Sequence, residues 1–168
     1  MTSPTDPSSG GTATGGSAPG GPGQPRQLLQ NDPFTKPLYT DNFYDAVGGH
    51  ETFVKLIDVF YDGVAADPLL RAMYPEEDLG PAKRRFLMFL EQYWGGPTTY
   101  GQERGHPRLR MRHMPFGVTP EAKDRWLLHM RVAVDALELP PLHEGTLWDY
   151  MERAALSMIN SPSSGALR

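Results

Sequence analysis

One spacing constrains this chain more than any other feature. From His50 onward, Phe53, Leu56, Ile57, Phe60, Tyr61 and Val64 recur at steps of three and four residues. That interval lines side chains along one side of an α-helix. The pattern returns in Ala82, Phe86, Phe89, Leu90 and Tyr93, which predict a helix stopping at Gly95-Gly96. It returns again in Trp126, Leu127, Met130, Ala133, Val134 and Leu137. These follow Thr119-Pro120-Glu121, which offers an N-cap hydroxyl, a first-turn proline and an early acid. After the interruption at Pro140-Pro141, Leu147, Tyr150, Met151, Ala154, Ala155 and Met158 mark a last buried face. Asp67-Pro68 opens one or two short turns, and "GPTTYGQERG" reads as a loop. No stretch sustains period-two alternation with β-branched residues, so the expected class is all-α.

The periodic region defines a domain over 34–162. Before it, residues 1–33 are rich in glycine, proline and serine and contain no aromatic. Such a segment does not bury enough surface to offset ordering costs of about 1–2 kcal/mol per residue, so it is read as a disordered arm. Residues 163–168 read as a short frayed tail. The absence of cysteine excludes disulfides, thiolate–zinc sites, iron–sulfur clusters and cysteine nucleophiles. A net charge of −4 opposes a nucleic-acid partner for the chain as a whole. No apolar run approaches the ~20 residues of a membrane span. The opening "MTSPTDPSSG" has neither a basic nor an apolar leader region, which suits a cytoplasmic protein.

Against that charge, "RGHPRLRMRHMPF" at 104–116 concentrates four arginines and two histidines between prolines. Pro107 suits the first position of a helix, and Pro115 should force Met114 out of helical geometry. His113 then falls in the last turn of an element about two turns long. Its ring could donate to the carbonyl of Leu109, one turn back, leaving the other nitrogen to bind a metal. Arg108 and Arg112 form a second row one turn apart. Spacing alone leaves other roles open. A protonated histidine at a helix C-terminus also favours the macrodipole. Zinc fits less well, because the five histidines contain no pair at i, i+3 or i+4. A nucleic-acid patch lacks interleaved aromatics.

In family order, "FYDAVGG" at 43–49, "FYDGVAADPLLRAMYPEEDL" at 60–79, "FLEQYWGGP" at 89–97, the 104–116 segment, Trp126 in "DRWLLHM" and "SMINSP" at 157–162 resemble the group II truncated haemoglobins, in particular the actinobacterial oxygen-binding type. The resemblance covers nearly all of residues 42–162. It implies a globin shortened to a two-over-two helical sandwich around one haem b per chain. His113 matches the proximal iron ligand, with Leu109 beneath the ligand plane. Tyr61, Tyr74 and Trp126 match the distal hydrogen-bond donors. Ala82 matches the distal position that many globins fill with histidine, and Phe86 lies one turn beyond it, bulkier than the leucine or glutamine expected there. Arg85 and Arg112 are candidates for the propionates, and Phe116 is a further expected cofactor contact. For each of these the plain alternative is a core or solvated residue.

The resemblance implies oxygen, carbon monoxide and nitric oxide as ligands. Hydrogen bonds to a charged acceptor contribute roughly 1.5–3 kcal/mol each, so oxygen release should be slow. Slow release suits a reactor, oxidising nitric oxide or reducing peroxide with the help of a separate reductase, since no dinucleotide-binding glycine motif is present. The alternatives are an oxygen store or sensor without turnover, and a haemless helical interaction module. Homo-oligomerisation is left open.

Overall fold

The computed structural model describes residues 42–163. The arm expected over 1–33, residues 34–41 of the expected domain and the tail beyond 163 lie outside the described residues. Among the described residues the chain is all-helical, with no strand. The helices are α1 (Phe43–Ala46), α2 (His50–Ala66), α3 (Pro68–Arg71), α4 (Gly80–Tyr93), α5 (Thr99–Arg104), α6 (Leu109–His113), α7 (Pro120–Asp135) and α8 (Pro141–Ser157). The four long ones pack in two pairs: α2 with α4, and α7 with α8. Contact between α2 and α7 joins the pairs into two helices over two. None of these helices is long and apolar enough to cross a membrane.

The periodic residues make this packing. All six expected on α2 are buried, with Phe60, Leu56 and Val64 fully inaccessible. On α7, Met130, Ala133 and Val134 are also fully buried. Trp126 and Phe86, from the same periodic sets, are only half-buried. Both line a cavity, while their rings also touch Phe60 of α2. The Thr119 hydroxyl accepts from the Ala122 N–H at 3.1 Å, so the expected cap starts α7. Gly95 ends α4 with φ at +103°, a conformation costly for any residue with a Cβ.

Three local expectations fail. The stretch read as a loop after Gly96 contains α5. Only Tyr100 of that helix is buried, so it leaves no periodic trace. Its anchors come from α4 instead: the Gln92 side chain accepts from the Gly101 N–H at 2.7 Å, and Arg84 grips Glu103 through two contacts of 2.7 Å. The basic helix begins at Leu109, not at Pro107, because Arg108 is left-handed at φ 43°, ψ 46°. Met114 keeps helical angles despite Pro115. There the chain turns tightly, closed by the Phe116 N–H donating to the His113 carbonyl at 2.9 Å.

Candidate functional site

A cavity of about 400 Å³ is lined by residues of both helix pairs. All ten site residues expected from the sequence line it: Tyr61, Tyr74, Ala82, Arg85, Phe86, Leu109, Arg112, His113, Phe116 and Trp126. They come from two groups of elements. Helices α2, α4 and α7 and the segment after α3 supply the tyrosines, Phe86 and Trp126. The short α6 and the residues after it supply Leu109, Arg112, His113 and Phe116.

On the α6 side, His113 Nδ1 lies 2.7 Å from the Leu109 carbonyl oxygen. A carbonyl only accepts, so Nδ1 carries the hydrogen, which leaves Nε2 as the nitrogen available to a metal. Arg112 does not project freely. Its guanidinium donates to the Pro107 carbonyl at 2.7 Å and the Arg104 carbonyl at 3.0 Å, which pins the left-handed corner at Arg108 to α6.

The opposite side is a cluster of aromatic edges. Phe60, with no exposure, sits behind it and touches three of the lining rings: Tyr61 at 5.1 Å, Trp126 at 5.2 Å and Phe86 at 5.8 Å between centroids. Phe86 stands between the Tyr61 ring at 6.4 Å and the Trp126 ring at 6.2 Å. Tyr61 meets Tyr74 edge-on at 5.9 Å. Burial, and then the neighbouring Tyr74, push the Tyr61 phenol far above its ordinary value; burial also raises Tyr74. Both therefore keep their protons and remain donors. Arg71 fixes the strand of chain that carries Tyr74, donating to the carbonyls of Tyr74, Glu76 and Glu77 at 3.2, 2.8 and 2.7 Å.

Charge enters at the rim. Arg85 pairs with Glu76 at 2.7 Å, and the guanidinium holds the Glu76 carboxyl below the usual carboxylate range. Lys123, which sequence reasoning passed over, also lines the cavity and pairs with the exposed Asp124 at 2.7 Å. The wall from α8 is built of Met151, Ala154, Ala155 and Met158. Their spacing was visible in the sequence but reads equally well as plain core. Two alanines side by side leave the breadth that a flat ligand requires.

Sequence reasoning also missed two polar anchors. Asp67 is buried, caps α3 through the Leu69 and Leu70 N–H groups, and accepts from Arg125 at 2.8 Å and His129 at 2.7 Å on α7. The nearby Gly63 leaves room for that imidazole: a Cβ there would collide with His129 Nδ1. Asn160, beyond α8, bonds to the segment that follows His113. Both residues stand outside the periodic pattern, and their partners are 42 to 62 positions away.

The cavity fits a haem. Its volume lies within the roughly 300–1,000 Å³ of ligand pockets, and its lining is mainly apolar with a few convergent polar groups. Arg85, Arg112 and Lys123 could meet carboxylates at its edge. Among the described residues no three His, Cys, Asp or Glu side chains gather as a metal-holding group. A lone imidazole as the only protein ligand suits a metal whose remaining ligands come from a macrocycle.

Comparison with known proteins bears on the same region. A family model described as bacterial-like globin matches residues 42–160. The group 2 truncated hemoglobin YjbI of Bacillus subtilis is 42% identical over 117 residues, covering 70% of this chain and 87% of that protein. The crystal structure of a thermostable hemoglobin from the actinobacterium Thermobifida fusca superposes with a TM-score of 0.71 at 62% identity. That alignment covers 71% of this chain and 98% of the other. A truncated haemoglobin of B. subtilis described as oxygen-avid gives a TM-score of 0.67 at 41% identity, covering 71% of this chain and all of that one.

Proposed function

Because the chain belongs to the bacterial-like globin family, and is with it an oxygen-binding haem protein with haem b as cofactor, we propose that His113 would ligate the haem iron and that the aromatic side of the cavity holds oxygen tightly enough for redox use. The observation that carries this reading is an asymmetry across one cavity. A single imidazole with its Nδ1 tied to Leu109 lines the same cavity as a pair of phenols kept protonated by burial. When bound, ferrous haem would supply the binding site for a diatomic ligand and the electron for its reduction.

The chain's own residues do the rest. The Leu109 carbonyl fixes the His113 tautomer and makes Nε2 a stronger base. Tyr61, Tyr74 and the Trp126 indole are the donors available to a ligand that gathers negative charge. Phe86, between Tyr61 and Trp126, keeps water out and limits how many donors converge at once. Arg85 and Arg112 steady the carboxylates of the macrocycle. For Arg85 this means sharing a charge that now serves Glu76.

Slow release favours consumption of the held oxygen, in nitric oxide oxidation or peroxide chemistry, with electrons from a separate reductase. An absorption spectrum of the purified protein, reduced and then exposed to oxygen, tests the binding mode. His113→Gly should lower haem affinity by more than the roughly 10–100-fold seen when only a supporting hydrogen bond is removed. Free imidazole should restore the spectrum. Retention equal to wild type would move the ligand elsewhere. Nitric oxide consumption over many turnovers with a reductase, no faster than free haem, would leave an oxygen store or sensor.

A further inference from the structure

We propose that Asn160 is a positioning residue for the axial histidine, clamping the backbone of the segment that carries it; the inference rests on the ligand role of His113 argued above. Helix α6 is five residues long and buries none of them fully. So short a helix is not self-supporting in water, and its last carbonyls have no partner within the helix. His113 sits at that end. Its imidazole is tied back to Leu109, but its main chain would be free to swing unless something outside the helix held it.

Asn160 supplies that hold with every polar atom of its side chain. Nδ2 donates to the His113 carbonyl at 3.0 Å and to the Phe116 carbonyl at 2.9 Å. Oδ1 accepts from the Val118 N–H at 2.9 Å and from the Ser161 hydroxyl at 3.0 Å. The main chain adds two more bonds, from the Asn160 and Ser161 N–H groups to the Val118 carbonyl at 3.0 and 3.1 Å. An amide side chain has two donor hydrogens and one acceptor oxygen, and all of them are engaged. Asn160 follows the end of α8, which forms one wall of the cavity. The clamp therefore references the His113 main chain to that wall. It sets how far Nε2 reaches into the cavity and at what angle.

Two substitutions separate this role from general support. Asn160→Asp keeps the acceptor for Val118 and loses both donors; Asn160→Ala loses everything. In both, the iron–histidine stretching band of the reduced protein in resonance Raman should shift and broaden. Haem transfer to an excess of apomyoglobin should quicken by about ten-fold, the equivalent of a lost hydrogen bond or two. Helix content in circular dichroism should be unchanged. A band and transfer rate equal to wild type in both variants would overturn the proposal. If Asn160→Ala loses helix content, Asn160→Gln takes its place. It keeps the amide on a stem one methylene longer, and an unmoved band there is equally fatal. A wild-type protein that holds haem but shows no iron–histidine band refutes the ligand role itself, whereas a wild-type band indifferent to position 160 refutes only the clamp.

Discussion

The two sides of the cavity are built by different forces. On the side of α2, α4 and α7, long helices bury their apolar stripes, and the rings that reach the cavity lean on Phe60, which is itself inaccessible. On the side of α6, five residues with no buried member are held by bonds to carbonyls and to one amide side chain. Packing is additive over many small contacts and yields slowly to any single change in solvent conditions. A hydrogen-bonded brace depends on a few atoms, each placed by a distant part of the chain. The proximal side can therefore be retuned by one polar substitution, while the distal side changes only when volume changes.

Volume should accordingly produce the largest effect. Phe60→Ala removes a fully buried ring that supports three others. Such truncations cost about 3–5 kcal/mol. Arg112→Ala, which removes two bonds to carbonyls on a half-exposed helix, should cost about 1–2 kcal/mol. Urea melts of the two variants measure both. Equal costs would erase the distinction between a packed side and a braced one.

The same contrast explains what could be read in the sequence. Tyr61, Phe86 and Trp126 belong to periodic sets, and periodicity reports which residues share a helix face. The four long helices follow from it, whereas their pairing was implied only by the family resemblance. Which members of a face meet a cavity rather than another helix does not, because both situations demand apolar residues. The bond from His113 to Leu109 was legible for a different reason: the two are one turn apart, so a local rule suffices, whereas the ligand role came from the resemblance. Asp67 and Asn160 bond across 42 or more positions, and no local pattern encodes that distance. Helix α5 and the left-handed Arg108 escaped for the same cause, since side chains of α4 and α6 stabilise them from outside.

Chemistry at the ligand should give the next effect in size. Tyr61→Phe deletes one donor while keeping the ring that Phe60 and Phe86 touch. Loss of a hydrogen bond to a charged acceptor, at roughly 1.5–3 kcal/mol, should speed oxygen dissociation about ten-fold or more. Global stability should hardly move, because the packed volume is nearly unchanged. Trp126→Phe offers the paired measurement by stopped flow. If neither change alters the rate, the distal rings wall the cavity without touching the ligand, and slow release loses its physical basis.

The smallest effect concerns acid, and it belongs to the distal half. Asp67 joins the start of α3 to α7, and the His129 hydrogen bond, foremost among its contacts, holds its carboxyl down to about 2 from an ordinary 3.8. A carboxylate whose folded value is depressed binds its proton more readily when unfolded. Its contribution is thus complete above about pH 4 and disappears as the pH falls toward 2. Asp67→Asn should be less stable than wild type at neutral pH and should lose less between pH 4 and 2 in guanidinium melts. On the proximal side the bonds from Arg112 and Asn160 end on backbone carbonyls, which do not titrate. A wild-type acid limb that Asp67→Asn leaves unchanged would place the titrating group elsewhere and remove this polar tie from the account of how the distal helices are held.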